Sequence, residues 1–410
     1  MRYVIWLACL VGTPAALEGI DRIDPAAADI LLTALAAFFA LCAAVGIAYT
    51  FSATALVWRF FKKPKAEPSC FPPVTIVKPL SGAEWGLLDG LASFCRQDYA
   101  GAIQFLFGVQ QSEDPALKAV EKLKQLFPEA HITVVADPRL HGPNRKVSNL
   151  INMMPHAVHD IFVFADSDIR VAPDYLRRVI GELQKPNVGL VTCLYRGRPA
   201  PGFWPHLSAQ GINYNFLPSV VTGLALRIAR PCFGQTIATR RETLAKIGGF
   251  ARFGHILVED NAIGEAVRGA GEQAAIPPIV ISHTSAESTF SALTAHELRW
   301  SRSLRIMDPL GHLGSVLTHP FPLALIAAGL SGGAIWSWPL VIVALLARVA
   351  LKLVADAAVH ERRRDLWLLP LRDLYSVAIL VASFFSTRVV WRGASFNVGP
   401  KGLLHPLQDD

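Results

Sequence analysis

The hydrophobic pattern divides the chain into apolar stretches near both ends and an alternating middle part. Residues 29–58 are almost wholly apolar, which is longer than the ~20 residues that a helix needs to cross a bilayer. Three further apolar runs follow at residues 320–335, 336–354 and 366–390. The pattern predicts an N-terminal membrane segment over residues 1–63 with one transmembrane helix, and C-terminal transmembrane segments over residues 318–392.

Short apolar runs alternate with amphipathic stretches in the middle of the chain. The runs predicted as buried strands lie at residues 74–80, 103–109, 131–137 and 160–166. Alternating strands and helices are typical of an open, mainly parallel α/β sheet. We expect one α/β domain over residues 72–290, an amphipathic interfacial helix over residues 291–310 and a tail over residues 393–410.

Composition and charge place part of the chain in lipid. Hydrophobic residues make up 52% and charged residues 17%, below the ~25% charged that soluble domains average. A net charge of +7 would suit nucleic acid, anionic lipid or basic loops beside membrane spans. Acidic residues precede the first apolar stretch and basic residues follow it, so we expect a cytoplasmic α/β domain and no nucleic-acid partner.

Two features of the membrane segments stay open at this stage. Residues 3–17 are apolar but short, which fits a signal-like region, an interfacial piece or an extension of the first helix. Three C-terminal spans would place the tail outside the cell, whereas the basic residues near that tail favour the inside. The number of C-terminal spans is therefore undecided.

Asp166 and Asp168 end one of the predicted strands, in the run VFADSDIR. Ligands of open α/β sheets bind at the carboxyl edge of the strands, where these carboxylates are expected to lie. Mg²⁺ and Mn²⁺ are held by oxygen ligands, commonly one or two carboxylates with phosphate oxygens and water. The pair therefore indicates a Mg²⁺ or Mn²⁺ site for a nucleotide diphosphate, although a structural turn also favours Asp and Ser.

Two other polar segments fall at the same sheet edge. Asp114 follows the second predicted strand, where its carboxylate can accept a hydrogen bond from a uracil N–H or simply begin an Asp-Pro turn. Lys146 lies in a Gly/Pro loop at a helix start, where cations and backbone N–H groups meet phosphate oxygens. An ordinary connection with a solvated lysine has the same pattern, so both residues are candidates for donor binding.

The last candidates lie in the second half of the chain. Glu259 and Asp260 stand where a helix N-terminal cap is expected, and a carboxylate there can also take a proton from a hydroxyl. In the run HELRWSRSLR, Arg299 is well shaped for a diphosphate, and Trp300 suits a membrane interface. A cationic helix resting on anionic lipid would show the same pattern.

Taken in order, seven segments resemble the motif series of inverting GT-A glycosyltransferases of the ceramide glucosyltransferase group. They are KPLSGAE, QSEDP, NRKVSNL, DSDIR, TRRETLAKIGGF, VED and HELRW. Four more resemble the bacterial hopanoid-biosynthesis-associated glycosyltransferases within that group, namely FCRQDY, DPRLHGPNRKVSNLINM, VTCLYRGRP and ARPCFG. The resemblance implies a Rossmann-like GT-A domain with transmembrane helices on both sides.

The resemblance also implies roles for individual residues. Asp114 takes the place of the nucleotide-binding aspartate, Asp166 that of the donor and metal aspartate, and Asp260 that of the base. Arg299 and Trp300 match the end of the Q/R-x-x-R-W motif. His296 stands where the group usually has Gln or Arg, and Asp168 completes a fuller D-x-D pattern.

The activity that the resemblance implies is sugar transfer with inversion at the bacterial inner membrane, by a multi-pass protein. The hopanoid branch implies UDP-N-acetylglucosamine as donor and a hopanoid such as bacteriohopanetetrol as acceptor. The alternative is a ceramide glucosyltransferase that uses UDP-glucose. A processive polysaccharide synthase and a nonenzymatic membrane scaffold are the remaining rivals.

Overall fold

The computed structural model describes residues 24–360, 365–385, 388–391, 394–398 and 403–406. The predictions about residues 1–17 and most of the tail lie outside these residues. The strands in chain order are β1 Val74–Pro79, β2 Ile103–Val109, β3 His131–Ala136, β4 Ile161–Phe164, β5 Ile169–Arg170, β6 Val188–Thr192, β7 Leu194–Pro199, β8 Ile237–Arg240, β9 Gln273–Ala275, β10 Val280–Ser285, β11 Arg388–Trp391, β12 Ala394–Val398 and β13 Leu404–Pro406.

Fourteen helices are seen in the described part of the chain. They are α1 Pro25–Phe61, α2 Leu87–Cys95, α3 Ala116–Leu126, α4 Arg145–Met153, α5 Tyr175–Leu183, α6 Phe203–Gly211, α7 Leu217–Ala225, α8 Arg241–Lys246, α9 Glu259–Gly269, α10 Phe290–Met307, α11 Pro309–Gly314, α12 Pro320–Leu330, α13 Ser337–Ala358 and α14 Leu368–Ser383. A π-helical turn, Ile212–Phe216, joins α6 to α7.

The main sheet has seven strands in the order β3-β2-β1-β4-β8-β6-β9. Only β8 runs antiparallel to its neighbours, so the predicted mainly parallel α/β sheet is confirmed. Strands β2 and β3 are added on one side of β1, whereas β4 is added on the opposite side. This reversal creates a crevice at the carboxyl ends of β1 and β4, the usual ligand position in such sheets.

Hydrophobic cores cover both faces of this sheet. Ile76 and Phe105 belong to one core, and Val77 and Leu106 to the other, because successive side chains of a strand point to opposite faces. Strands buried on both faces read as continuous apolar runs, which is why the sequence predicted them well. Lys78, near the end of β1, is the exception to this apolar pattern, because its charged side chain is fully buried.

Smaller sheets complete the fold. Strand β10 pairs parallel with β7 and antiparallel with β5, which brings it beside the loop between β4 and β5. Strands β11, β12 and β13 form an antiparallel sheet near the C-terminus.

Helix α1 confirms the predicted N-terminal apolar helix. Its 37 residues extend about 55 Å at ~1.5 Å per residue, well beyond the ~30 Å of a hydrocarbon core. Its first half packs on α12 and α13 through a cluster that includes Ala43, Phe321 and Ala344. Its last turns pack on α7 through Val57 and Val221. One end of α1 is therefore part of the α/β domain's own packing.

Helix α1 is the main candidate for a membrane-spanning helix. Among the residues that the structure describes, α1 is the one helix that is long and apolar enough by itself to cross a bilayer. The segments Pro309–Thr318 and Pro320–Leu330 meet at 71° and would add a second span if they were one broken helix. The predicted runs in residues 318–392 form helices of 11, 22 and 16 residues. They are not three complete single-helix spans.

Helices α13 and α14 carry buried charges that are paired. Arg348 makes two hydrogen bonds to Asp373, of 2.8 and 2.7 Å. Lys352 lies 3.0 Å from Asp356 and donates to the Tyr214 hydroxyl at 2.6 Å. Buried charges are tolerated when they are paired and hydrogen-bonded in this way. The contacts tie both helices to each other and to the π-helical turn of the domain.

Several predicted boundaries shift by a few residues. The strand predicted over residues 160–166 ends at Phe164, so Asp166 and Asp168 lie in the loop before β5. The helix that follows Val258 begins at Glu259, and Val258 itself is the N-cap. The prediction of Asp260 as a cap residue was therefore wrong, because it is the second residue of α9.

Candidate active site

One cavity of about 1070 Å³ opens at the carboxyl edge of the main sheet. Every candidate residue from the sequence lines it, namely Asp114, Lys146, Asp166, Asp168, Asp260, Arg299 and Trp300. They come from the loops after β2 and β4, the first turns of α4 and α9, and the middle of α10. The sheet order brings these distant segments together at its switch point.

The loop after β4 is held by three basic side chains. Lys78 donates to the backbone oxygen of Asp166 at 2.6 Å. Lys146 Nζ lies 2.6 Å from Asp166 Oδ1. His283 Nε2, from β10, lies 3.1 Å from Asp168 Oδ2. Protein contacts therefore restrain the loop backbone and one oxygen of each carboxylate.

The surroundings push the pKa values of these two carboxylates apart. Burial raises the pKa of Asp166, and the neighbouring Asp168 adds to this, while Lys146 opposes it. Burial acts in the same direction on Asp168, but the charge and hydrogen bond of His283 outweigh it and lower the pKa of Asp168. Burial also lowers the pKa of Lys78 to about 7. Close, buried carboxylates with separated pKa values are typical of functional sites.

The carboxylate pair fits a divalent cation that is shared with a phosphate ligand. Within the described part of the chain, Asp168 Oδ1 is buried and has no hydrogen-bond partner, so it can accept a cation. No group of three or more His, Cys, Asp or Glu side chains that could hold a metal was found among those residues. Mg²⁺ commonly binds through one or two carboxylates with substrate phosphates completing the ligands. The two carboxylates therefore suit a metal that is shared with a phosphate ligand better than a metal held by the protein alone.

Asp260 faces the cavity from the first turn of α9. Its Oδ2 accepts a hydrogen bond from the Gly234 N–H at 2.8 Å, and its Oδ1 accepts one from the Asn261 N–H at 2.7 Å. Burial, reinforced by Glu259, raises the pKa of Asp260 to about 6. A carboxylate with a pKa near the working pH is suited to proton transfer.

Gly234 allows the charged groups to approach one another. A Cβ atom at this position would lie 2.8 Å from Lys146 Nζ, 3.4 Å from Asp260 Oδ2 and 3.6 Å from Asp166 Oδ2. A side chain here would displace at least the lysine. The backbone of this loop therefore forms part of the cavity wall between the two aspartates.

Glu259 has a different environment from its neighbour Asp260. Its Oε1 lies 3.0 Å from Lys146 Nζ, and its Oε2 accepts a hydrogen bond from Asn144 Nδ2 at 3.2 Å. Lys146 thus bridges Glu259 and Asp166. Burial alone would lower the pKa of Lys146, but these carboxylates raise it above its usual value.

Asp114 combines the two readings that the sequence left open. Its Oδ1 accepts hydrogen bonds from the Ala116 N–H at 2.9 Å and from the Gly82 N–H at 2.8 Å. The first bond is the local turn, and the second ties the loop after β1 to the loop after β2. Asp114 also lines the cavity, so the structural role and a ligand role are compatible.

Helix α10 closes one side of the cavity. Arg299 and Trp300 both line it. The Trp300 ring lies edge-on to Tyr195, with ring centroids 6.4 Å apart, and near His283 at 6.2 Å. His296 forms a short hydrogen bond to Glu287, and both line the cavity. Trp300 therefore belongs to the cavity wall. The interfacial position of this helix stays a prediction.

The sequence did not single out three residues of this site. Lys78 and His283 lie inside apolar strands, and Gly234 lies in an irregular loop. The one available signal was Lys78, since a lysine in a strand buried on both faces requires a partner. Gly234 ends the segment ARPCFG, which carries the resemblance without marking the glycine itself, and nothing local in the sequence marks His283.

The fold and the cavity define an α/β protein with a charged cavity at the switch point of its sheet. Residues 38–404 match the model of glycosyl transferase family 21. The chain belongs to this family. The predicted resemblance to the ceramide glucosyltransferase group is confirmed at the level of the family.

Similar proteins include ceramide glucosyltransferases 3 and 1 of Caenorhabditis elegans. Each is 24% identical to this chain, over 66% and 62% of its length. The chain covers 59% and 54% of these relatives, a little over half of their length. A mannosyltransferase from Pyrobaculum calidifontis, solved with GDP-Man and Mn²⁺, is similar with 23% identity and a TM-score of 0.49, over 86% of this chain and 99% of that one.

These relatives favour the ceramide-type alternative over the hopanoid one. The narrower resemblance to hopanoid-associated enzymes stays a prediction, as do N-acetylglucosamine as the donor sugar and the bacterial inner membrane as the location.

Proposed function

We propose that this protein transfers a hexose, with inversion, from a UDP-sugar to the hydroxyl of a ceramide-like lipid. The observation that carries the proposal is the convergence of Asp166, Asp168, Asp260 and Arg299 on one cavity at the sheet switch point. These are the groups needed to hold a diphosphate and to accept a proton. Glucose is the first donor to test, because the similar ceramide enzymes are named glucosyltransferases.

The donor diphosphate is placed beside the loop after β4. Arg299 faces it from α10, and its planar guanidinium can bind two phosphate oxygens at once. Lys146 adds a second positive charge from α4. Asp114 is placed at the uracil end, where its carboxylate accepts a hydrogen bond from the ring N–H.

Asp166 and Asp168 would hold the divalent cation. Mg²⁺ or Mn²⁺ bound there would neutralise charge on the leaving diphosphate. Lys78 holds the backbone oxygen of Asp166, and His283 contacts the carboxylate of Asp168. Outer-shell groups of this kind orient the ligands of a metal site.

Asp260 acts as the base in a single in-line displacement. As the acceptor oxygen bonds to the anomeric carbon, the bond from that carbon to the phosphate oxygen breaks and UDP leaves. The acceptor hydroxyl proton passes to the Asp260 carboxylate. An α-linked donor thereby gives a β-glycoside.

A lipid acceptor is supported by the apolar side of the cavity. Phe216, Leu257, Leu304 and Met307 line it together with the charged groups. Leu304 is 55% exposed and Met307 37% exposed, at the end of α10 that leads into α11. We infer that the acceptor headgroup enters along this end while its chains stay in lipid.

The membrane arrangement is proposed from the charges that flank α1. Arg59, Lys62 and Lys63 lie at the end of α1 that meets the α/β domain, which favours a cytoplasmic catalytic domain. We place the protein in a bacterial inner membrane, with α1 as one span and the bent pair before α13 as a second.

The test is a product screen by mass spectrometry. Purified full-length protein is supplied with UDP-glucose, UDP-N-acetylglucosamine or UDP-galactose, and with ceramide or a polyhydroxylated hopanoid. Glucosylceramide as the main product supports the proposal. A hexosaminyl hopanoid would replace the proposed substrates, and a polymeric product would point to a processive synthase. Absence of any product with all combinations would overturn it.

The pH profile of the reaction gives a further prediction. Asp260 must be unprotonated to act as a base, and its pKa is raised to about 6. The value of kcat/KM, which reports on the free enzyme, should therefore fall as the pH drops below 6 and level off above it. Steady-state rates on both sides of this pH test the prediction. A profile that keeps the same inflection in Asp260→Asn would assign it to another group.

A further inference from the structure

Helix α10 presents two distinct faces. The residues that line the cavity recur every three or four positions and form its cavity face, namely His296, Arg299, Trp300, Ser303, Leu304 and Met307. A second row, Leu293, Thr294, Glu297 and Ser301, forms its anchor face. Rotation of α10 about its axis would move every group of the cavity face at once.

Apolar packing fixes that rotation only in part. All 18 residues of α10 are described, and Leu293 and Ser301 are the buried ones. Leu293 packs with Leu207 and Leu368, and Trp300 packs against the main core from the cavity face. Because apolar burial is non-directional, these contacts hold α10 against the domain, and directional contacts are needed to fix its angle.

The anchor face makes directional contacts with α14. Arg372 Nη1 lies 2.5 Å from Glu297 Oε1, and Arg372 Nη2 lies 2.7 Å from Glu297 Oε2. One turn away, the Thr294 and Tyr375 hydroxyls lie 3.0 Å apart. A two-bonded arginine–carboxylate pair fixes orientation as well as distance.

The guanidinium of Arg372 is itself firmly held. It is 5% exposed, and Nη1 also donates to the backbone oxygen of Leu207 at 3.2 Å. Helix α6 approaches so closely that a Cβ atom at Gly211 would collide with it. The pair therefore joins α10 to a rigid point on α14 and α6.

We propose that Arg372 is a positioning residue that sets the rotation of α10 through Glu297 and thereby places Arg299 and Trp300 in the donor cavity. The proposal rests on the proposed function, in which the cavity face of α10 binds the UDP-sugar. It gives α14 a part in donor binding, although no residue of α14 lines the cavity among those described.

The test compares Arg372→Met and Glu297→Gln with a matched control on the same helix. Asp373→Asn breaks the neighbouring buried pair with Arg348, which does not involve α10. Full-length variants in detergent are measured for thermal unfolding, UDP affinity by calorimetry with Mn²⁺, and KM and kcat. The two test variants should lose kcat/KM by about 10²-fold, chiefly through donor KM, whereas Asp373→Asn should lower Tm and keep UDP affinity.

Two further variants separate positioning from stability. Arg372→Lys keeps the charge and one contact, so it should recover part of the donor affinity. The double variant Arg372→Met/Glu297→Gln removes both charges and should regain stability without regaining donor affinity. The proposal fails if Asp373→Asn loses as much UDP affinity as the test variants, or if the double variant recovers both stability and donor affinity. Either result would show that the Arg372–Glu297 pair only stabilises the fold.

Amide hydrogen exchange tests the positioning role of Arg372 without depending on the proposed activity. Faster exchange within α10 in Arg372→Met, but not in Asp373→Asn, would support the positioning role even if no UDP-sugar were turned over. Unchanged exchange in α10 would overturn the positioning role while leaving the activity of the native protein unaffected.

Discussion

Replacing Asp260 by Asn is expected to lower kcat by ~10²–10⁴-fold, the usual contribution of a general base, with donor affinity nearly intact. A lipid hydroxyl is a poor nucleophile at neutral pH, so a group in the cavity must take its proton. Asp166 and Asp168 would hold the cation and Asp114 is proposed to bind the uracil, whereas burial raises the pKa of Asp260 to about 6. Turnover and UDP-sugar affinity, measured separately, test this expectation.

Glu259 provides the contrast for Asp260. It is ion-paired with Lys146, which also contacts Asp166, so Glu259→Gln should alter donor affinity more than the chemical step. Thermal unfolding of both variants controls for the backbone contacts of Asp260. Near-normal kcat in Asp260→Asn together with a large loss in Glu259→Gln would transfer the base role to Glu259.

Replacing Asp166 by Asn is expected to abolish measurable donor binding as well as turnover. Two carboxylates facing a diphosphate repel it unless a divalent cation lies between them. The loss should exceed the ~10–100-fold that removal of an outer-shell partner typically costs. Mn²⁺ binding measured by electron paramagnetic resonance, with and without UDP, gives a readout that does not depend on activity.

His283→Gln is the matched outer-shell variant for this experiment. It removes the imidazole partner of Asp168 but leaves both carboxylates, so a loss within the ~10–100-fold range is expected. Excess EDTA should stop turnover by the native protein. Full activity in EDTA, or undiminished Mn²⁺ binding in Asp166→Asn, would remove the metal from the proposal.

Local structure was largely predictable from the sequence. The strand predicted over residues 103–109 is β2 with the same bounds, and the apolar run at residues 29–58 lies within α1. Gly248 and Gly249 follow α8 with φ of 90° and 67°, as expected of a glycine C-terminal cap. These features depend on the spacing of apolar residues along each element and on local steric limits, and both can be read from a short segment of sequence.

The C-terminal transmembrane segments stay a prediction. Residues 336–354 and 366–390 looked like spans because they are rich in apolar side chains. Arg348, Lys352 and Asp373 lie among them, and the structure pairs these charges inside the protein. Hydropathy cannot distinguish a helix that faces lipid from one that faces a protein interior, since both require apolar surfaces.

The sequence by itself determined the order of the elements, the carboxylates that follow β2 and β4, and the family to which the chain belongs. The tertiary structure alone decided that Asp114, Asp166, Asp260 and Arg299 share one cavity, and that Lys78 and His283 stand behind the aspartates. Side-chain periodicity reports only which face of its own element a residue occupies. Which elements become neighbours depends on the order of strands in the sheet, and that order is set by packing between segments far apart in the chain.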